Sequence, residues 1–193
     1  VFGPRNMAPL SAIVAALETD RDVKVVVFDS AIDGFFLTHY DFLASPDDTL
    51  SLPLGPTGLQ QLPDALVRLS RAPVVSIAKI RGRATGVGSE LALASDMRFA
   101  SREKAILSQW EVGCGLVPGG GPMARLPRLM GRGRALEVLL GLFPAPFVGV
   151  EIAEHDVRAS TLRRAFARLV ACGLAIALNL GNRSEERRVG KEC

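Results

Sequence analysis

The chain has 193 residues, room for one hydrophobic core and little more. Hydrophobic residues make up 48% of it, which suits a globular α/β protein and excludes a disordered one. The net charge of +3 is spread among alternating signs, no basic run interleaves with aromatics, and no apolar run reaches a membrane span, so neither nucleic acid nor a membrane is an expected partner.

Cys114, Cys172 and Cys193 show no CxxC spacing, and His39 and His155 make no ligand constellation. No metal site is expected. The scattered cysteines point to a reducing compartment, and with no secretory signal at the start a cytoplasmic location is expected.

Taken in chain order, residues 7–19 carry apolar side chains at helical spacing and end in a polar Asp20-Arg21-Asp22 link. Residues 23–28 form a continuous β-branched run, the pattern of a strand covered on both faces. Residues 50–58 hold two Pro and two Gly and read as a loop. Residues 60–70 read as an amphipathic helix and 74–78 as a buried strand. Residues 89–94 are Leu- and Ala-rich and helical, so this helix should be central. Short strands are expected at 97–100 and 105–107, helices at 123–130 and 134–140, and an amphipathic docking helix at 161–178. Strand–helix alternation gives an α/β fold. No internal sequence repeat is visible.

The chemistry concentrates in residues 84–111, ATGVGSELALASDMRFASREKAILSQWE. A turn built on Gly86, Val87 and Gly88 runs into the Leu/Ala helix, with Glu90 in its first turn. Such a turn offers unpaired backbone N–H groups and the positive end of a helix dipole. It is not a phosphate loop. The third glycine of a GxGxxG pattern is replaced by Leu91, no Lys-Ser or Lys-Thr follows, and Glu90 would repel a phosphate. A carbonyl that develops negative charge is a better guest, and Glu90 with Glu111 would supply general acid and general base. The plainer reading is a tight strand-to-helix turn with Glu90 as a dipole partner. Cys114 has no histidine placed beside it and reads as a small buried residue. His39 reads as a rim or packing histidine, Trp110 as packing that positions Glu111, and Asp41 as the cap of a following short helix.

These residues resemble the crotonase (enoyl-CoA hydratase/isomerase) superfamily. The match extends upstream through VKVVVFDSAIDGFFLTHYDF (residues 23–42) and downstream through SQWEVGCGLVPGGGPMARLPRLMGRGRALEVLLG (residues 108–141), so it spans about residues 6–141. The resemblance implies a spiral of ββα units and no cofactor beyond the coenzyme A of the substrate. It implies that the backbone N–H groups of Thr38 and Val87 form an oxyanion hole for a thioester oxygen. Glu90 and Glu111 would hold and activate a water, and Gly119 would help to place it. Leu37, His39, Tyr40 and Asp41, with Gly86 and Gly88, would line the site of an acyl-CoA thioester. The implied reaction is hydration of a 2-enoyl-CoA to a 3-hydroxyacyl-CoA. A double-bond isomerase, a non-catalytic acyl-CoA- or RNA-binding relative and an inactive fragment are the alternatives. Homotrimers or dimers of trimers are implied for the intact protein.

The chain departs from the family pattern at Thr38-His39-Tyr40, at Val87, and at Trp110 before Glu111. A backbone donor does not depend on its side chain, so these changes bear on the acyl entrance more than on the reaction. Three segments are expected: a core at 1–141 cut at its N-terminus, an atypical stretch at 142–182, and a tail at 183–193. The tail, RSEERRVGKEC, can be encoded by the start of a common sequencing adapter and is expected to be a scar without core contacts.

Overall fold

A computed structural model describes residues 1–141 and the strand at 175–179. Helix α1 (Pro4–Thr19) leads into β1 (Val25–Asp29), β2 (Phe35–Leu37), α2 (Pro46–Leu50) and α3 (Gln61–Leu69). Then come β3 (Val75–Ile80), β4 (Arg83–Thr85) and α4 (Val87–Ala94). Next are β5 (Met97–Ala100), β6 (Ile106–Ser108) and a 3-10 helix (Glu111–Cys114), followed by α5 (Pro122–Met130), α6 (Arg132–Leu140) and β7 (Ala175–Asn179).

The pattern is β–β–helix, three times over. The first strand of each unit joins one parallel sheet, ordered β5-β3-β1-β7; the second strands form another, ordered β2-β4-β6. Each unit thus steps from sheet to sheet before its helix returns the chain, which makes a spiral. The repeat is one of architecture without a repeated sequence, because each unit buries a different set of side chains.

Local sequence explains the main elements. β1 lies between β3 and β7, so its Val26, Val27 and Phe28 are covered on both faces, as the β-branched run requires. All eight residues of α4 are buried, which is why this helix is apolar all round rather than amphipathic. Helix α3 packs against α4 and against α1 at the rim of the same core. There Asp64, fully buried, accepts from the Thr57 N–H at 2.9 Å and hydroxyl at 2.6 Å, and from Arg68 Nη1 at 3.3 Å. Arg68 Nε in turn donates to Glu18 on α1 at 2.9 Å. The carboxylate therefore pins the 50–58 loop onto α3.

Several expectations are corrected. Residues 175–178, placed at the end of a helix, lie in β7, which pairs in parallel with β1 from Val25↔Ala175 to Asp29↔Asn179. The alternating Ala-Ile-Ala-Leu fits a strand as well as a helix, and the edge of β1 supplies backbone partners that an isolated helix lacks. The remainder of the 161–178 segment, most of 142–182 and the 183–193 tail lie outside the described residues. Leu50 closes α2 rather than opening the loop. Strands β2 and β4 have three residues each, too few for any periodicity to announce them. Asp41 does not cap α2, whose N-cap is Ser45; its Oδ1 accepts from Leu43 N–H at 3.0 Å within a local turn. Cys114 is exposed, not buried.

Candidate active site

Three neighbouring parallel strands end at one edge of the small sheet, and the chain that leaves each carries a candidate residue. β2 ends at Leu37, followed by Thr38 and His39. β4 ends at Thr85, followed by Gly86 and Val87. β6 ends at Ser108, followed by Gln109, Trp110 and Glu111. Parallel strands collect their exits on one side, and crevices beyond carboxyl ends of strands are where α/β sheets receive ligands.

Two glycines let these exits touch. Gly86 has φ +53°, a left-handed backbone that favours glycine. Its N–H donates to the Ser108 carbonyl at 3.0 Å, and a methyl placed on it would sit 3.3 Å from Glu111 Oε1 and 3.3 Å from His39 Cβ. Gly88, in the first turn of α4, is pressed closer still: a methyl there would lie 1.8 Å from the Leu37 carbonyl oxygen. The β2 exit thus rests directly on the N-terminus of α4. Val87 opens that helix, so the helix gives its N–H no internal acceptor. Thr38 is half-buried beside it.

Glu90 points from the buried helix and is 3% exposed. Its Oε1 accepts from the Gly120 N–H at 2.6 Å. Burial raises its pKa to about 7; the Gly120 N–H opposes that rise, the Glu111 charge adds to it, and Arg125 opposes it. The glycine that meets Glu90 is Gly120, with no room for a side chain, since a methyl would fall 2.3 Å from the carboxyl carbon. Gly119, the residue expected to help place water, is exposed, with nothing within 4 Å of a methyl added to it.

Glu111 starts the 3-10 helix and is half-buried. Burial raises its pKa too, opposed by backbone N–H groups of Glu111 itself and Trp110. Its holder is Gln109, which is fully buried. With the Gln109 amide nitrogen turned toward Glu111, it donates to Oε1 at 3.0 Å and Oε2 at 2.9 Å, while its oxygen accepts from the Ser89 hydroxyl at 3.0 Å. Ser89 adjoins Glu90 on α4, so a buried chain of hydrogen bonds joins the helix of one glutamate to the carboxylate of the other.

The rim is aromatic. His39 meets Trp110 edge-on with ring centroids 5.1 Å apart, and Phe42 meets Trp110 at 5.1 Å. His39 Nδ1–H donates to the Tyr40 carbonyl at 2.7 Å, which fixes the ring as part of this wall. Tyr40 hydrogen-bonds Thr49 through its hydroxyl, and Asp41 N–H donates to the Phe2 carbonyl at 2.7 Å. Trp110 therefore packs on the rim, and the side chain that orients Glu111 is Gln109.

Sequence reasoning placed Glu90, Glu111, Gly86, Gly88, Val87, Thr38 and His39 in one region, and the fold brings all of them together. It missed Ser89, Gln109, Gly120 and Arg125. The middle glycine of Gly119-Gly120-Gly121 could not be told from its neighbours by composition. Gln109 carried a signal, since a glutamine two residues before Glu111 on the same strand exit shares its side of the chain.

The comparisons agree with this architecture. A model of the enoyl-CoA hydratase/isomerase family matches residues 4–152, past the point at 141 where similarity was expected to fade. Enoyl-CoA hydratase domain-containing protein 2, mitochondrial, from Mus musculus is 35% identical over 133 residues, 69% of this chain and 44% of its own length. Methylglutaconyl-CoA hydratase, mitochondrial, from Homo sapiens is 35% identical over 130 residues, 67% of this chain and 38% of its own. The chain thus spans about two fifths of these relatives. Among solved structures, that of a candidate enoyl-CoA hydratase from Streptomyces avermitilis superposes with a TM-score of 0.74 at 42% identity, covering 89% of this chain and 63% of that one. The enoyl-CoA hydratase from Bacillus anthracis gives a TM-score of 0.61 at 28% identity, covering 69% and 51%. No described helix is long and apolar enough to cross a membrane. With its paired spiral sheets, its glycine turn and a family match over most of its length, the chain belongs to the enoyl-CoA hydratase/isomerase family.

Proposed function

We propose that this chain carries the site of a 2-enoyl-CoA hydratase. The observation behind this reading is that two carboxylates flank the glycine turn: Glu90 in the first turn of the fully buried helix that the turn opens, and Glu111 with Oε1 3.3 Å from a methyl placed on Gly86; burial raises the pKa of both. The thioester oxygen would sit against the N–H groups of Thr38 and Val87. One such donor contributes about 3–4 kcal/mol to an oxyanion transition state. That polarisation draws the C=C electron pair toward the thioester and leaves the β-carbon electrophilic. Water adds there through its oxygen, one glutamate takes the water proton, and the other gives a proton to the α-carbon. The sum is one water added across the double bond. A carboxylic acid with a pKa of about 7, as at Glu90, exists in both forms near neutrality and can serve either step. The names of the relatives, hydratases of acyl-CoA thioesters, support the same substrate class.

The test is hydration of short and long 2-enoyl-CoA thioesters, followed by the loss of absorbance of the conjugated thioester, with wild type, Glu90→Gln and Glu111→Gln. Hydration by wild type and its loss in both variants is the expected result. A wild type that leaves 2-enoyl thioesters unhydrated but moves the double bond of a 3-enoyl thioester into conjugation, an activity insensitive to Glu90→Gln and abolished by Glu111→Gln, would point instead to a single-carboxylate isomerase. Thioester binding without turnover in wild type would point to a binding protein.

A further inference from the structure

Arg125 is the fourth residue of α5, yet its guanidinium folds back over the start of its own helix. A methyl on Gly121 would lie 2.4 Å from Arg125 Nη1. A helix N-terminus repels a cation, so the dipole of α5 does not explain this placement. The contacts do. Nη1 donates to the Gly120 carbonyl at 2.7 Å. Nη2 donates to the Leu66 carbonyl at 3.2 Å and reaches Ser70 Oγ at 3.4 Å. Leu66 lies in the last turn of α3, so Arg125 caps the negative end of that helix while holding the turn at Gly120.

The turn held in this way is the one whose N–H reaches Glu90 Oε1 at 2.6 Å. The Gly120 N–H and carbonyl flank a single Cα that must stay a glycine because the Glu90 carboxyl fills the space of a side chain. Glycine is the residue least able to hold its own conformation. Something outside the turn must fix it, and Arg125 is the group that grips it. We propose that Arg125 is a positioning residue for Glu90: anchored on the C-terminus of α3, it clamps Gly120 so that the Gly120 N–H remains on the Glu90 carboxyl group. Its charge also acts on Glu90 through space, against the Glu111 charge from the 3-10 helix; these are the two charged groups that face Glu90 from the elements around it. The inference builds on the role given above to Glu90, but the site geometry stands apart from the reaction.

The experiment uses the full chain with the glutamate carboxyl carbons and glycine amides isotopically labelled. The Glu90 carboxyl resonance and the Gly120 amide resonance are followed against pH without substrate, in wild type, Arg125→Lys and Arg125→Met. In wild type, both resonances should titrate with one midpoint. In Arg125→Met, the Glu90 midpoint should rise by about one unit or more, because a nearby cation is lost, and the Gly120 amide should cease to follow it. Arg125→Lys keeps the charge but loses the fork, so its midpoint should move less while the Gly120 response still weakens. If Arg125 only fastened α5 to α3, both variants would lower the thermal midpoint while the Gly120 amide kept following the Glu90 titration, with any rise in the Glu90 midpoint confined to the charge-removing methionine variant, which would overturn the proposal. Should the methionine variant not fold, the lysine variant alone decides by its Gly120 response. Kinetics add a separate arm: the limb of the kcat–pH profile that belongs to Glu90 should shift upward with its NMR midpoint while KM holds. A wild type that does not hydrate enoyl thioesters would sink the hydratase reading and leave the NMR result to judge Arg125.

Discussion

The two glutamates reach the same site from opposite kinds of structure. Glu90 stands on α4, every residue of which is buried, and its surroundings are set by core packing. Glu111 stands on a 3-10 helix that continues into a mostly exposed segment, with Val112 40% and Val117 72% exposed. The first carboxylate is placed by its scaffold. The second needs a side chain to hold it, and the fully buried Gln109 does so. A site built this way has one rigid half and one half whose position depends on a few hydrogen bonds.

The largest effect expected is on turnover. Glu90→Gln and Glu111→Gln should each lower kcat by roughly 10²–10⁴-fold, the usual contribution of a general acid or base, with KM little changed. Gln109→Leu sharpens the contrast, because it removes the holder of Glu111 and touches Glu90 only through Ser89. It should reduce kcat less than either glutamate variant while leaving the Glu90 titration in place. A Gln109→Leu enzyme with wild-type kcat would show that the 3-10 helix positions Glu111 by itself.

Stability should move in the opposite direction at the rigid half. The pKa of Glu90 rises from its ordinary value of 4.5 to about 7. A raised value means the folded state holds its proton longer than the unfolded chain. The stability this contributes is fully present below about pH 4.5 and is lost as pH rises through about 7. Glu90→Gln does not titrate. Its stability relative to wild type should therefore grow across that window, by on the order of 3 kcal/mol. Denaturant midpoints of the two proteins at pH 4 and pH 8 give the comparison; parallel curves would mean that burial of Glu90 carries no such cost. Glu111 shifts in the same direction, so Glu111→Gln should show the same sign.

Much of the rigid half was legible in the sequence because its signals are local. A β-branched run, a glycine turn and a Leu/Ala helix each follow from neighbouring residues. What was hidden depends on residues distant in sequence. The three-residue strands β2 and β4 exist only through pairing with each other and with β6. Residues 175–178 carry a pattern that serves either period, and the free edge of β1 decides for the strand. Gly120 and Gly119 are indistinguishable until the fold shows which one faces Glu90. Arg125 on an amphipathic helix reads as a solvated cation, and only the end of α3, more than fifty residues earlier, gives it another purpose.

The glycines break the comparison at finer scale. Gly88→Ala would push a methyl to 1.8 Å from the Leu37 carbonyl oxygen, so α4 and the β2 exit must part. Overpacking of this kind costs about 1–3 kcal/mol, and the displaced Thr38 and Val87 amides should lower kcat as well. Thermal denaturation together with kcat tests both halves of that statement; an unchanged kcat in a folded variant would argue against a hole formed by those two amides.

The smallest effects belong to the exposed half. Cys114 is free and exposed at the end of the 3-10 helix. A methyl on Gly119 meets nothing within 4 Å, and its φ lies outside the left-handed region occupied by Gly121 next to its neighbour. Replacement at either position removes no packed atom and no backbone donor. Cys114→Ser and Gly119→Ala should each change stability by no more than about 0.5 kcal/mol. Because a backbone N–H survives the change to alanine, Gly119→Ala should also leave kcat within a few-fold of wild type even if that amide touches the water. Gly120→Ala, one residue along, would drive its methyl into the Glu90 carboxyl group at 2.3 Å and should not be silent. A measurement in which the two alanine variants behave alike would mean that the turn at 119–121 adjusts freely, and that neither Gly120 nor the arginine gripping it holds Glu90 in place.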